Sequence, residues 1–332
     1  MRIMMDKVFF LFPGQGAQYP GMALDLLEAA QKSESGEKIK RLFSLASEIF
    51  GRDMADLLYK ISPEELKPTD ISQPTITLAN LAAAAYLGEK GIKPSGAAGF
   101  SLGEYSALAI SGVISEEDCL YLVNERGKAM QADINKIMQA GSRAPGMAAV
   151  IGLAPEKVDA LIAKWQKDGL NGLNGLNAAN INSPRQVAVS GSAEALEEAE
   201  KRFKEAGAKR FMRLAVAGPY HSPFMKEAAE KFGIALDKIQ FNDPEIPVFS
   251  NVTGRQISSG AEAKALARRH IIEGVRWTDE EAAIARFGPK VLLEVGPGRV
   301  LQGLWKDIGI NIPFFAAGAA SEINELEKAE LI

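Results

Sequence analysis

The sequence predicts an α/β protein built on a mainly parallel sheet covered on both faces, with a small α+β unit inserted into it. Three observations carry that expectation. Short apolar runs at Lys7–Phe12, Pro94–Ala98 and Val291–Val295 each lead into a glycine-rich turn, as buried parallel strands do. Stretches with apolar residues at helical spacing separate them. Between residues 148 and 216 strand-like and helix-like segments alternate in quick succession, a different texture from the flanking chain.

The first strand ends at Pro13-Gly14-Gln15-Gly16, where unusual backbone angles are tolerated. Leu42, Phe43, Ala46, Ile49 and Phe50 then mark one face of a helix, and Ser72 reads as the cap of an alanine-rich helix running to Gly88. Pro94–Ala98 feeds Gly99-Phe100-Ser101-Leu102-Gly103, and a new helix begins at Glu104. Further on, Ala148–Leu153, Val187–Ser190 and Lys209–Val216 read as strands, with helices at Pro155–Lys167 and Ala193–Ala206 between them. That order suggests a ferredoxin-like subdomain at 145–214, inserted into a large domain made of 1–144 and 215–332. A Leu-Asn-Gly duplication occupies its loop at 170–177. The chain returns through Gly218-Pro219-Tyr220-His221. Ser222-Pro223 then opens a helix bearing Phe224, Ala228, Phe232, Leu236 and Ile239, and strands are expected at Val248–Asn251 and Val291–Val295.

The 332 residues are enough for about two domains of ordinary size. With 47% apolar residues and 38 basic against 42 acidic side chains, disorder, collagen and a strong nucleic-acid footprint are excluded. Arg2, Asp6 and Lys7 precede an apolar run too short for a signal peptide or a membrane span, so a cytoplasmic protein is expected. One cysteine, Cys119, rules out an intramolecular disulfide or a cysteine zinc cluster, and its context suits a buried inert thiol. Only His221 and His270 are available for histidine chemistry.

Gly99-x-Ser101-x-Gly103 has the form of a nucleophile elbow, a strained strand-to-helix turn that lifts a hydroxyl clear of the backbone. The same five residues also suit a plain glycine turn that caps a helix. A serine hydroxyl needs a base, and His221, between a predicted strand and helix, belongs at the same end of the sheet. His270 closes a charged helix and reads better as a surface or cap residue. Acyl transfer needs two donors on the developing oxyanion, and the N–H groups of Leu102 and Gln15 are placed for that. A phosphate loop at the first turn lacks the Gly-Lys-Ser/Thr or G-x-G-x-x-G pattern it would require.

Six ordered motifs, spread over residues 7–305, resemble the malonyl-CoA:acyl-carrier-protein transacylase family: Phe12-Pro13-Gly14-Gln15-Gly16, Gly99-Phe100-Ser101-Leu102-Gly103-Glu104, Arg126-Gly127-Lys128-Ala129-Met130-Gln131, Asn180-Ile181-Asn182-Ser183-Pro184, Gly218-Pro219-Tyr220-His221-Ser222 and Glu294-Val295-Gly296-Pro297-Gly298. The resemblance implies an α/β hydrolase-like core and a ping-pong transfer, with no resident cofactor and malonyl-CoA as a substrate. It implies Ser101 as nucleophile, His221 as base, Gln15 and Leu102 as oxyanion donors, and Arg126 as the partner of the malonyl carboxylate. It also implies a main-chain carbonyl near His270 orienting the catalytic imidazole, and Asn180 near the site, in a loop whose alternative role is to cap a turn. Phe100 departs from the histidine usual in the family before the nucleophile, which makes one wall of the acyl pocket apolar.

A polyketide-pathway acyltransferase and a hydrolase of carrier-bound acyl groups would use the same serine–histidine pair. Arg126 favours a dicarboxylic acyl chain over a neutral one. The partner implied is an acidic acyl carrier protein. Lys204, Lys209, Arg210 and Arg213, with Lys201 and Arg202, form a basic cluster that would steer it; the acidic neighbours Glu197, Glu198, Glu200 and Glu205 equally suit an ordinary solvated helix face.

Overall fold

The structure, a computed structural model, describes residues 7–32, 36–139, 143, 145–168, 175–214, 216 and 218–329. In chain order its strands are β1 (Val8–Phe12), β2 (Gly96–Gly99), β3 (Gly146–Ile151), β4 (Asn177–Ser183), β5 (Gln186–Gly191), β6 (Arg210–Arg213), β7 (Phe249–Ser250), β8 (Arg255–Gln256), β9 (Val291–Glu294) and β10 (Phe314–Ala316).

The larger sheet runs β10-β9-β1-β2, and every pairing in it is parallel. Side chains of β1 alternate between two cores because successive residues of a strand point to opposite faces. Val8, Phe10 and Phe12 enter one apolar cluster; Phe9 and Leu11 enter another, with Trp277 and Trp305. Burial on both faces explains why these strands read as unbroken apolar runs. β10 was not legible in the sequence, being three residues long and preceded by Pro313. The strand expected at Val248–Asn251 is also smaller than its pattern suggested: Val248 bridges Ala97 in parallel, and only Phe249–Ser250 forms β7, antiparallel to β8.

The alanine-rich helix spans Thr69–Glu89, three residues longer at its start than the sequence implied. Ser72 is not its cap. The Pro68 carbonyl accepts from the N–H groups of Ile71 and Ser72, which leaves Ser72 fully buried within the first turn. This helix packs against the long helix Glu116–Gln139, and Thr69 Oγ1 donates to the Gly127 carbonyl at 2.8 Å. Cys119 is buried in the same layer, its thiol donating to the Tyr105 carbonyl at 3.2 Å and pushed up in pKa by burial.

The smaller sheet runs β4-β5-β3-β6 and is antiparallel throughout. With helices Pro155–Lys167 and Ala193–Glu205 the order is βαββαβ, the ferredoxin-like arrangement. Sequence patterning missed β4. Its run Asn177-Ala178-Ala179-Asn180-Ile181-Asn182-Ser183 is poor in β-formers, and register shifts interrupt it at Ala178/Asn180 and Ile181/Ser183. What holds it extended is a partner on each side: β5 on one, and on the other Val275, whose N–H and C=O bond Ala179 and Ile181 at 2.8 Å. β6 is shorter than the expected Lys209–Val216. Of the Leu-Asn-Gly duplication, residues 170–174 lie outside the described residues.

Candidate active site

Two turns at the carboxyl ends of neighbouring strands build the site, where a parallel sheet gathers its functional groups. β2 ends at Gly99, and the chain bends through Ser101 at φ 49°, in the left-handed region that side chains rarely adopt. The turn after β1 lies against this bend. A Cβ on Gly14 would sit 2.3 Å from the Phe100 carbonyl oxygen, and one on Gly103 2.0 Å from that of Phe12, so glycine is required where the two turns touch. This contact brings the turn that holds Gln15 against Leu102, whose nitrogen lies 3.4 Å from where a Cβ on Gly14 would sit. Neither backbone N–H donates to a protein acceptor among the described residues, as suits a pair of oxyanion donors.

Ser101 Oγ lies 2.8 Å from His221 Nε2. On the other edge of the ring, Nδ1 faces two main-chain oxygens, those of His270 at 2.9 Å and Glu273 at 3.0 Å. Carbonyls only accept, so Nδ1 carries the proton and Nε2 is free to receive one from the serine. His221, itself at φ 53°, is buried; burial first, and the Arg126 charge second, lower its pKa to about 4. The imidazole is therefore neutral at physiological pH.

His270 is not a surface residue. It caps the helix Gly260–Arg269 but is fully buried, with its ring 5.4 Å from that of His221. The carbonyl expected in its neighbourhood is its own. The second carbonyl, from Glu273, left no mark in the sequence because main-chain oxygens carry no residue signature. Asn180 lies in strand β4 rather than in a loop, bridging to Val275 two residues beyond Glu273, with its Oδ1 buried and without a partner among the described residues. Phe100 packs edge-on against Trp277, ring centroids 5.3 Å apart.

Arg126 is only 1% exposed. Its Nη1 donates to Gln73 Oε1 at 2.9 Å and its guanidinium stands 5.5 Å from the centre of the Tyr105 ring, yet Nε has no partner and no carboxylate pairs with it among the described residues. Burial pushes the pKa of this group down. A buried guanidinium without a counter-ion is costly, and a bound carboxylate would relieve it. Gln73 continues the chain of contacts: its Nε2 donates to Gln15 Oε1 at 3.1 Å, and Gln15 Nε2 donates to Ser72 Oγ at 3.0 Å. The arginine is thus linked through two amides to the turn that supplies the Gln15 N–H. Sequence reading missed Gln73.

A buried polar group under the elbow was missed as well. Asn251 Oδ1 accepts from the Ser101 N–H at 2.6 Å, its Nδ2 donates to the Gly99 carbonyl at 2.7 Å and to Glu280 Oε2 at 2.8 Å, and its backbone N–H donates to Glu104 Oε2 at 2.7 Å. Burial raises the carboxyls of Glu104, to about 8, and Glu280. The one available signal was that Asn251 ends a predicted strand at the sheet's carboxyl edge.

A serine on a strained elbow, a neutral histidine held by carbonyls and two free N–H groups define an acyl-transfer centre. The chain matches the acyl transferase domain family over residues 9–309. It is 37% identical to the malonyl CoA-acyl carrier protein transacylase of Bacillus subtilis strain 168, covering 92% of this chain and 91% of that one. Its identity to the Escherichia coli K12 protein of the same name is 39%, over 92% and 93% of the two chains. Among solved structures, a malonyl-transacylase in complex with its type II PKS acyl-carrier protein superposes with a TM-score of 0.86 at 35% identity, covering 97% of this chain and 99% of that one. An acyl carrier protein S-malonyltransferase from Vibrio cholerae gives 0.85 at 35%, over 96% and 99%. The chain belongs to the malonyl CoA-acyl carrier protein transacylase family.

Proposed function

We propose that this protein transfers a malonyl group from malonyl-CoA to the phosphopantetheine thiol of an acyl carrier protein, in fatty-acid biosynthesis, through a malonyl ester of Ser101. The observation that carries the reading is the conjunction of the Ser101–His221 pair with a buried Arg126 that no carboxylate among the described residues pairs with. In the first half-reaction Ser101 Oγ attacks the thioester carbonyl while His221 Nε2 takes its proton. The oxyanion is held by the N–H groups of Leu102 and Gln15, the C–S bond breaks, and the imidazolium returns the proton to the departing CoA sulfur. In the second, the carrier's thiol gives its proton to Nε2 and attacks the ester, and Ser101 leaves with that proton. The chemistry runs on the chain's own side chains, with malonyl-CoA as substrate.

Arg126 pairs with the free carboxylate in this reading, which rejects monoacyl groups by leaving a buried charge unmatched. Phe100 forms an apolar wall of the acyl pocket, and Asn180 lines the approach along β4. Residues 145–214 serve as an inserted subdomain on a large domain of 1–144 and 215–332, and the protein works in the cytoplasm; no helix among the described residues is long and apolar enough to cross a membrane.

An acidic carrier would dock on the basic edge of the smaller sheet. Within the cluster, Lys204 pairs with Glu200 at 2.6 Å, and Lys201 and Arg202 both reach Glu198, so the helix is largely self-neutralised. Lys209, Arg210 and Arg213, all exposed and outside any ion pair among the described residues, supply the steering charge. Intact-mass analysis after incubation with malonyl-CoA or acetyl-CoA tests the central reading. A malonyl adduct lost in Ser101→Ala supports it, and the absence of a malonyl adduct on Ser101 overturns it.

A further inference from the structure

The hydrogen bonds around Asn251 have a pattern that ordinary packing does not require. Strand β2 is flanked on one side by Pro247–Ser250: Ala97 N–H donates to the Pro247 carbonyl at 2.8 Å and Ala97 bridges Val248 in parallel. That pairing stops where the elbow begins. There the Asn251 side chain takes over, giving a donor to the Gly99 carbonyl and an acceptor to the Ser101 N–H, the two groups a neighbouring strand would have bonded. We propose that Asn251 is a positioning residue for acyl transfer, its side-chain amide acting as one more rung of the sheet that holds the strained nucleophile elbow in register with His221.

The side-chain requirement follows from the donor and acceptor inventory. Only a short amide offers both a donor and an acceptor at this distance; a carboxylate offers acceptors alone, and an apolar residue neither. The amide cannot turn over, because Nδ2 faces the acceptors of Gly99 and Glu280 while Oδ1 faces the Ser101 donor and lies 3.3 Å from His270 Nε2. Asn251 is completely buried, and its own carbonyl accepts from Arg276 N–H at 2.8 Å, so the residue is fixed along its whole length. The positive φ at Ser101 is a strained conformation that persists only while its surroundings enforce it. With the rung gone, the hydroxyl drifts from Nε2 and the Leu102 N–H from the oxyanion.

The inference rests on the acyl-transfer reading, so the experiment separates the two. The rate of Ser101 labelling by a fluorophosphonate probe, which needs a poised serine but no malonyl group, is measured beside malonyl-CoA turnover in the parent, Asn251→Asp and Asn251→Ala. A parent that reacts with the probe but not with malonyl-CoA sinks the substrate reading and leaves the role of Asn251 to be judged on the probe. In Asn251→Asp the new carboxyl faces Glu104, Glu280 and His270, with His221 and Arg126 behind them. Protonated, it keeps one donor and the acceptor; ionised, it repels the Gly99 carbonyl. Labelling and kcat should therefore fall about 10- to 100-fold at the alkaline pH that ionises a carboxyl buried beside Glu104 and Glu280, recover towards lower pH, and leave KM for malonyl-CoA nearly unchanged. Asn251→Ala should lose a similar factor at every pH. Should Asn251→Asp not fold, Asn251→Ala carries the test by itself. A folded variant that labels at the parental rate, or an Asn251→Asp whose pH profile matches the parent's, overturns the proposal.

Discussion

Replacing Arg126 with methionine removes the guanidinium while keeping much of its volume. Each charge-assisted hydrogen bond contributes about 1.5–3 kcal/mol, so losing a bidentate contact to the malonyl carboxylate removes about 3–6 kcal/mol from the transition state. At about 1.4 kcal/mol per decade, kcat/KM for malonyl-CoA should fall by roughly two to four decades. Solvent screening does not blunt the effect, since the side chain is 1% exposed. Acetyl-CoA, which never used the contact, should gain relative to malonyl-CoA by the same factor. Two further consequences distinguish a buried unmatched charge from an ordinary surface arginine. Thermal stability of the free protein should stay level or rise, because relief of the buried charge offsets the lost Gln73 bond and Tyr105 ring contact. The acetyl-transfer rate should also inflect at higher pH, since the Arg126 charge is the second cause of the depressed His221 pKa. The assay is adduct formation by quenched intact mass with each thioester, across pH, beside a thermal melt. A malonyl-to-acetyl ratio that moves by less than about threefold would refute the reasoning.

Other outcomes follow from the same geometry. In the parent, acylation should rise through about pH 4 as His221 loses its proton and stay level above it, read by the same adduct assay. Stability should follow the same group: its folded pKa lies at about 4 against an ordinary 6.5, so the unfolded chain binds more protons between those values. That contribution is complete above 6.5 and lost as pH falls through about 4, amounting to about 3 kcal/mol in melts or denaturant titrations. Glu104 acts oppositely: raised from 4.5 to about 8, it adds stability that is complete below 4.5 and lost as pH rises through about 8, and Glu104→Gln should flatten the alkaline decline. Reversing charge at Lys209 and Arg210 should raise KM for the carrier and weaken its salt dependence while leaving acylation by malonyl-CoA intact; unchanged carrier kinetics would remove this edge as the docking surface.

Much of this protein could be read before folding was considered. Apolar runs ending in glycine-rich turns located β1, β2 and β9, and helical periodicity most helices, because strands buried on both faces and amphipathic helices write their burial directly into residue order. Glycine spacing exposed the elbow and the turn opposite it, since backbone contacts as short as 2.0–2.3 Å to a would-be Cβ admit no other residue. Ser101 and His221 stood out because a serine between two glycines and one of only two histidines mark reactive chemistry, whereas Arg126 was singled out by the resemblance of its motif to the family. Strand β4 was not: three asparagines and two register shifts hide a segment whose extension is imposed from outside, by β5 and Val275. His270 misled because the charged helix it closes suggests exposure, while its burial depends on elements far away in sequence.

By itself, then, the sequence determined which groups were available: a serine on a glycine-flanked turn, two histidines and an arginine in a motif shared with the family. Tertiary structure alone decided how they work. It turned two carbonyl oxygens onto Nδ1 of His221, buried Arg126 with no carboxylate paired to it among the described residues, and set Asn251 under the elbow. The physical reason is that carbonyl orientation, desolvation and long-range hydrogen bonds belong to pairs of distant segments, and no residue type encodes them locally.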